Sequence, residues 1–296
     1  MTLRVGTRAS ALALVQAESV AEALRATGTE VEIVTVTTLG DRGAAVLDKS
    51  RWVSELERAL VEGRIDLAVH SAKDVPTELP AGLELIAVPP RADARDAFCG
   101  AAGLDALNEG ARVGTASLRR TAQLRAARPD LDVVELRGNV DTRLRKLAEG
   151  QADALVLAIA GLERLGRGDA VTAIADEFVP AAGQGALALE GRVGELAGDS
   201  RLDCVRDHAA TACVSAERTL VHALGASCHT PVGAHARRRS DGLLELVGWV
   251  GLPDGSEWLR DAVTGAPEDV GIRCAERMLA AGARELLERA EQQVVV

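Results

Sequence analysis

The order of apolar and polar residues in the first two thirds of the chain predicts short buried strands that alternate with amphipathic helices. The pattern occurs twice, as LRVGTRASALALVQAESVAEAL from residue 3 and as ARVGTASLRRTAQLRAARPDL from residue 111. In each copy a strand ends in Gly-Thr and is followed by a polar turn and a helical pattern. Such self-similarity indicates a duplicated unit.

The duplication continues in ELERALVEGRIDLAVHSA (55–72) and TRLRKLAEGQADALVLAIAG (142–161), where a helix stops at Glu-Gly before an apolar strand. A further β-rich run lies between the two ends of each copy, at 31–38 and 131–138. We therefore predict two β-α-β-α-β lobes with parallel-type sheets and helices on both faces. Two such lobes in one chain form a cleft, and their ligands bind beyond the carboxyl ends of the strands.

The last third has a different pattern. Two alternating runs surround a Pro-Asp-Gly turn in residues 242–265, which predicts a hairpin, and residues 266–290 read as one or two amphipathic helices. The predicted organisation is an α/β lobe over 1–92, a second α/β lobe over 93–183, and a small α+β domain over 206–296. Residues 184–205 are expected to return to the first lobe, through a Pro-Gly-rich crossing and a strand.

Composition limits the class of protein. With 47% apolar but only 2% aromatic residues, the cores must be built from Ala, Val and Leu. The start MTLRVGTRAS has no apolar leader, and no stretch reaches the roughly 18 apolar residues that a membrane span needs. These features predict a cytoplasmic protein without a membrane partner. The five cysteines are widely spaced and include no CxxC pair, which argues against a disulfide framework and against a zinc site.

Charge is unevenly distributed. The net charge of −10 disfavours nucleic acid as a partner. Residues 112–146 nevertheless carry nine basic and four acidic residues. A local basic concentration in an acidic protein suggests a small anionic ligand.

Both Gly-Thr turns place hydroxyl groups where a helix begins. These are Thr7 and Ser10 in the first copy, and Thr115 and Ser117 in the second. Free backbone N–H groups and the helix dipole favour a carboxylate or phosphate there. The alternative is that Ser10 and Ser117 are only N-caps.

Four arginines of the second copy follow turns or strand ends: Arg119, Arg120, Arg137 and Arg143. The planar guanidinium binds a carboxylate through two hydrogen bonds, so this set suits a ligand with several carboxylates. The alternative is a solvated helix face.

Lys73 and Asp74 follow a buried strand in AVHSAKDVPTELP, and Lys73 is one of only three lysines in the chain. A carboxylate here can stabilise a developing cation and move protons. Asp74 can equally be an ordinary turn residue before Pro76.

Cys228 lies in the small-residue stretch LGASCHTPVGAHA. Metal ligation together with His229 and His235 lacks a fourth ligand of suitable spacing. An accessible thiol is a good covalent anchor, and a buried inert thiol is the alternative.

Taken together, these segments resemble the hydroxymethylbilane synthase family, also called the porphobilinogen deaminase family. The resemblance covers nearly the whole chain. The motifs that carry it are RVGTRASALAL, AVHSAKDVP, DARDAF, VGTASLRR, LRGNVDTRL, AIAGLERLG, PAAGQGALALE, SAERTL and SCHTPVG.

The resemblance implies two lobes similar to type II periplasmic binding proteins and a third domain with a small antiparallel sheet. It implies a monomeric enzyme whose Cys228 carries a dipyrromethane through a thioether. Onto this primer four porphobilinogen molecules are added head to tail with loss of ammonia, and hydrolysis releases hydroxymethylbilane. Asp74 and Lys73 would be catalytic and would also contact the cofactor, Lys73 would hold an acetate or propionate group, and Gln184 would line the cleft. Carboxylates would be bound by Arg8, Ser10, Ser117, Arg119, Arg120, Arg137, Arg143 and Arg164.

One segment departs from the family pattern. The segment DKSRWVSELE (48–57) differs from the family's sequence, and the preceding loop is short, which puts roles for Asp41, Lys49 and Trp52 in question.

Two other functions compete with the enzyme. A non-catalytic two-lobed binding protein would lack the cysteine stretch, and the sensing part of a transcription regulator would follow a helix-turn-helix segment.

Overall fold

The computed structural model describes residues 2–36, 50–226 and 230–294. The expectations for Asp41, Lys49 and Cys228 therefore lie outside the described residues. The chain forms two compact units, one of Met1–Ala92 with Gly185–Val214 and the other of Asp93–Gln184 with Ser215–Val296. The predicted three-domain division stays a prediction.

The secondary structure alternates between strands and helices until the C-terminal part. The strands are β1 (Leu3–Arg8), β2 (Val31–Val36), β3 (Leu67–Ser71), β4 (Leu83–Ala87), β5 (Asp96–Cys99), β6 (Arg112–Thr115), β7 (Asp132–Glu135), β8 (Ala154–Ala158), β9 (Ala173–Ala175), β10 (Leu187–Arg192), β11 (Val232–Arg238), β12 (Leu244–Gly251) and β13 (Trp258–Gly265). The α-helices are α1 (Ala11–Ala26), α2 (Ser50–Val61), α3 (Leu118–Ala127), α4 (Val140–Ala148), α5 (Ile159–Arg164), α6 (His208–Ala223), α7 (Val270–Ala280) and α8 (Ala283–Val294). Short 3₁₀ helices cover Ala72–Asp74, Gly168–Ala170 and Ser200–Val205.

The first unit is built on a five-stranded sheet with the order β2-β1-β3-β10-β4. Strand β1 is parallel to β2 and β3, whereas β10 is antiparallel to both of its neighbours. Alternate residues of the strands face opposite helices, as the period of two requires. Leu67 and Leu189 pack on the α1 side, and Ala68 packs on the α2 side.

The second unit contains a sheet of the same pattern, in the order β7-β6-β8-β5-β9. Strands β7, β6 and β8 are parallel, and β5 runs antiparallel to β8 and β9. Phe98 of β5 is fully buried and its ring centre lies 6.1 Å from that of Phe178. With so few aromatics, the remaining core consists of Leu, Val and Ala, as the composition predicted.

The C-terminal part of the second unit is a three-stranded antiparallel sheet in the order β11-β12-β13, followed by α7 and α8. The predicted hairpin is present between β12 and β13. Its turn uses Gly255 at φ +77°, a conformation that glycine adopts without strain. Trp249 of β12 is 4% exposed and packs against Ala122 of α3 and Val179.

These sheets confirm the α/β and α+β parts of the predicted fold class, namely two α/β lobes and a small antiparallel α+β part. The prediction of parallel-type sheets needs one correction, because each large sheet includes an antiparallel strand in the fourth position. In both cases that strand comes from outside the β-α-β repeat of its own lobe. The returning strand expected after the Pro-Gly-rich crossing is β10.

Candidate active site

Lys73 and Asp74 lie directly beyond the carboxyl end of β3. The strand ends at Ser71, and the 3₁₀ helix Ala72–Asp74 follows without a linker. The Ala72 N–H donates to the Ala186 carbonyl at 3.0 Å, which ties this turn to the segment before β10. Ala72 is buried, whereas the two charged side chains are half-buried. A carboxylate and an ammonium group are therefore presented at the end of a buried strand.

Beneath this turn the first unit buries a histidine–carboxylate pair. His70 Nε2 lies 2.9 Å from Glu190 Oε2, and both side chains are almost completely buried. Glu57 of α2 is close to them, and burial, helped by the Glu190 charge, raises the pKa of Glu57. On the other side of the strand end, Gln16 Nε2 donates to Ser71 Oγ at 2.9 Å. These contacts fix the part of β3 that leads into Asp74.

The end of β1 carries the corresponding groups of the first Gly-Thr turn. Arg8 is the last residue of β1, and Ser10 is the N-cap of α1. The Ala13 N–H donates to Ser10 Oγ at 3.4 Å, and Thr7 Oγ1 donates to the Ala13 carbonyl. In the second copy the Arg120 N–H donates to Ser117 Oγ at 3.5 Å. Both serines are therefore N-caps, and their binding roles stay predictions.

Asp96 is the centre of a buried charged cluster in the second unit. Its Oδ2 lies 2.7 Å from an Nη of Arg119, and its Oδ1 lies 2.7 Å from an Nη of Arg120. Gln184 Nε2 donates to the same Oδ1 at 2.8 Å and to the Ala94 carbonyl at 2.7 Å. Asp96 is completely buried, and the two arginines are 5% exposed. The structure thus brings three predicted site residues together around a carboxylate that we did not predict.

The two arginines also bind main-chain carbonyls. Arg119 donates to Val179 O at 2.8 Å, and Arg120 donates to Val156 O at 3.0 Å. Burial alone would raise the pKa of Asp96, but the two guanidinium groups overcome it and hold that pKa well below its usual range. Burial lowers the pKa of Arg119 despite the attraction of Asp96. The cluster therefore contains more buried positive charge than its single carboxylate balances.

Arg143 adds to this positive charge. It lies on α4 near Arg120, and burial together with the Arg120 charge lowers its pKa to about 10. Its Nε and that of Arg119 are buried without a hydrogen-bond acceptor in the described part of the chain. Unsatisfied buried donors on cations favour an anionic ligand.

Two other predicted arginines have different surroundings. Arg137 is exposed, and its Nη lies 2.7 Å from Glu135 Oε1. Arg164 is the last residue of α5, and burial lowers its pKa. The contacts described above link Arg119, Arg120 and Gln184 but do not include these two residues.

Sequence reasoning missed Asp96, Glu217, His70 and Glu190. His70, Glu190 and Asp96 lie in strands and Glu217 lies in helix α6, and all four stand within motifs already noted for other reasons. A charged residue that opens or interrupts a buried strand is the available signal, because such a group requires a partner.

A dipyrromethane fits the second unit. This ligand would bring carboxylates, and the residues available to receive them are the buried cations of the Asp96 cluster. The acceptor-free Nε atoms of Arg119 and Arg143 support that fit.

The part of the chain that the structure describes contains no helix long and apolar enough to cross a membrane.

The paired α/β sheets and the excess of buried positive charge place the chain among α/β proteins that bind anionic small molecules. The family model "Porphobilinogen deaminase, dipyromethane cofactor binding domain" matches residues 3–198, and "Porphobilinogen deaminase, C-terminal domain" matches residues 211–280. The chain belongs to the porphobilinogen deaminase family. It is therefore a transferase of tetrapyrrole biosynthesis with a dipyrromethane cofactor, and the alternative of a non-catalytic binding protein is not favoured.

Relatives match over nearly their full length. The porphobilinogen deaminase of Thiobacillus denitrificans is 49% identical, with 97% of this chain and 98% of the relative covered. That of Trichlorobacter lovleyi is 45% identical, with 99% and 98% covered. Among solved structures, the methionine binding protein MetQ is 16% identical, with 69% of this chain and 87% of that chain covered, at a TM-score of 0.45.

Proposed function

We propose that the chain condenses four porphobilinogen molecules head to tail onto a dipyrromethane held by the Cys228 thiol, and then releases hydroxymethylbilane by hydrolysis. When bound, the dipyrromethane supplies the pyrrole carbon to which the first substrate ring is joined. Membership of the family is the observation that supports this proposal most. The surplus of buried positive charge around Asp96 supports the polyanionic ligand independently.

Asp74 is the proposed catalytic residue. When ammonia leaves the aminomethyl group of porphobilinogen, the C–N bond breaks and positive charge develops on the substrate. A carboxylate offsets that charge, and it accepts the proton that the attacked pyrrole carbon loses as the C–C bond forms. Asp74 then passes this proton to solvent, where the ammonia released earlier takes it up as ammonium, so that each condensation exchanges one C–N and one C–H bond for one C–C and one N–H bond. Its place beyond the end of β3, on a turn held by Ala72 and Ser71, supports this role.

The remaining proposed roles concern carboxylate binding. Lys73 supplies a compact ammonium group beside Asp74 for an acetate or propionate substituent, and Arg8 and Ser10 act at the end of β1. In the second unit Arg119, Arg120, Arg143 and Ser117 receive cofactor or substrate carboxylates, with Gln184 beside them. Arg137 and Arg164 complete this proposed set. Each ring brings two carboxylates, so every elongation step requires further cationic partners.

Intact-mass measurement tests the proposal. The purified chain should carry an added mass equal to one dipyrromethane, and peptide mapping should assign it to Cys228. A Cys228→Ser variant supplied with porphobilinogen should stay unmodified. An unmodified wild-type chain that forms no hydroxymethylbilane would overturn the proposal.

A substitution separates catalysis from folding. Asp74→Asn should nearly abolish turnover while leaving the thermal unfolding midpoint unchanged, because only the charge at the reacting atoms is removed. Glu78→Gln, four residues later on the exposed side of the turn, is the matched control. Hydroxymethylbilane formation by Asp74→Asn at the rate of that control would discard the assignment. The cytoplasmic location and the monomeric state stay predictions.

A further inference from the structure

Glu217 is a completely buried carboxylate outside the residues assigned above. It lies on α6 in the second unit. The Gly183 N–H donates to its Oε2 at 2.7 Å, and the Ala236 N–H donates to its Oε1 at 2.7 Å. His235 Nδ1 lies 3.4 Å from Oε1. One side chain therefore binds the main chain of two other segments: strand β11 and the Pro-Gly-rich segment before β10 (residues 178–186), called the crossing below.

These contacts have a chemical reason to be strong. Burying a carboxylate is costly unless hydrogen bonds replace its water, and bonds from N–H groups to an ionised acceptor are about twice as strong as neutral ones. A neutral amide at this position cannot accept from both N–H groups, since one of its two terminal atoms is itself a donor. The arrangement thus requires an acid rather than a residue of similar shape.

Helix α6 and strand β11 are consecutive along the chain, and the segment that joins them contains Cys228. The carboxylate connects the two elements on either side of that segment. Its other main-chain contact is with the Gly183 N–H, and Gly183 immediately precedes Gln184.

From Gln184 the connection continues into the arginine cluster. The Gln184 side chain donates to Asp96, which pairs with Arg119 and Arg120. The Val179 main chain, on the same crossing, accepts from Arg119 and exchanges two hydrogen bonds with the Gln123 amide. A series of short polar contacts, joined by the peptide bond between Gly183 and Gln184, therefore leads from Glu217 to the two guanidinium groups.

We propose that Glu217 is a positioning residue for cofactor attachment, which links the elements flanking the Cys228 segment to the crossing that supports the Asp96 arginine pair. The inference rests on the proposed function, in which Cys228 carries the dipyrromethane. Glu217 does not touch the cofactor in this scheme. It holds helix α6, strand β11 and the Gly183 main chain together within the second unit.

The test is the rate of cofactor attachment. The full-length chain, made in cells that cannot synthesise porphobilinogen, is supplied with porphobilinogen, and the modified fraction at Cys228 is followed by intact mass. Glu217→Gln should slow attachment about 10- to 100-fold, the range expected for losing a charge-assisted hydrogen bond. Met278→Ala is the matched control. It removes a buried side chain of the same unit, 1% exposed, without touching the polar series.

The two variants separate positioning from loss of stability. If Met278→Ala lowers the unfolding midpoint as much as Glu217→Gln yet attaches the cofactor at the wild-type rate, the inference is supported. Attachment by Glu217→Gln at the wild-type rate, or an equal slowing in both variants, overturns it. Absence of any dipyrromethane on the wild-type chain would instead overturn the proposed function.

A second variant and a second readout cover the case in which Glu217→Gln does not fold. Glu217→Asp keeps the charge but is one methylene shorter, so it should attach the cofactor more slowly than Met278→Ala. Hydrogen exchange of peptides covering 117–123 should be faster in Glu217→Asp than in the wild-type holoenzyme and unchanged in Met278→Ala. Unchanged exchange together with wild-type attachment by Glu217→Asp would refute the link.

Discussion

Replacing Asp96 by Asn should destabilise the second unit strongly. The substitution leaves two guanidinium groups, each 5% exposed, without their carboxylate at 2.7 Å. Removing one partner of a buried ion pair costs about 3 to 5 kcal/mol, because the other charge stays buried and uncompensated. For a unit of this size that corresponds to a fall of about 6 to 20 °C in the unfolding midpoint.

The assay is thermal unfolding of the wild type, Asp96→Asn and Asp93→Asn at pH 7, monitored by circular dichroism. Asp93→Asn is the matched control, because Asp93 pairs with Arg95 at 2.6 Å in a position where the two side chains are 25% and 44% exposed. Exposed pairs contribute at most about 1 kcal/mol. An Asp96→Asn midpoint no lower than that of the control would refute the reasoning.

The pH dependence of stability tests the same ion pairs independently. The two arginines hold the pKa of Asp96 below its ordinary value of 3.8. A lowered carboxyl pKa contributes stability that is fully present above 3.8 and is lost only as the pH falls towards the lowered value. The difference between wild type and Asp96→Asn should therefore be constant at neutral pH and narrow only in acid. A difference that narrows between pH 7 and pH 5 would contradict this assignment.

Three other substitutions test separate features of the two units. Arg143→Leu should raise the unfolding midpoint of the cofactor-free chain, because it removes a half-buried charge that lies near the Arg120 charge, and should raise KM for porphobilinogen; a lower midpoint with unchanged KM would contradict this. His70→Ala should cost about 1 to 3 kcal/mol in urea unfolding, because it leaves the buried Glu190 carboxyl without the imidazole 2.9 Å away, and a loss below about 0.5 kcal/mol would refute that account. Gly255→Ala should lower the midpoint more than Gly242→Ala: both glycines have positive φ, but only at Gly255 would the new Cβ meet α3 main-chain atoms. Equal midpoints for these two would show that the contact is unimportant.

Local pattern was sufficient to predict the two repeated β-α-β-α-β units and the hairpin of the last third, but it did not predict strands β4, β5, β9 and β11. The two Gly-Thr turns end β1 and β6, and their serines cap α1 and α3 at equivalent positions. The periodicity of the last third predicted the hairpin, since alternation and a Pro-Asp-Gly turn are properties of adjacent residues. These features depend on interactions within a few residues, which is the range that a single sequence displays.

Long-range pairing could not be predicted in the same way. Nothing in the run DAFC indicates that β5 is antiparallel to its neighbours, because strand direction is decided by where the chain enters the sheet. The arginines of LRR resembled either a solvated helix face or a ligand site. The structure gives Arg119 and Arg120 a third arrangement, in which a protein carboxylate more than 20 residues away takes up part of their charge.

The position of β10 between β3 and β4 affects the order in which the chain folds during its synthesis. The sheet of the first unit lacks an inner strand until Leu187–Arg192 leaves the ribosome, by which point the strands of the second large sheet, ending at Ala175, have already been made. Translation proceeds at about 5 to 20 residues per second, far slower than helices and hairpins form. The sheet of the first unit, although most of it is translated first, therefore stays incomplete until β10 has been made. By then all strands of the second large sheet are already available to pair.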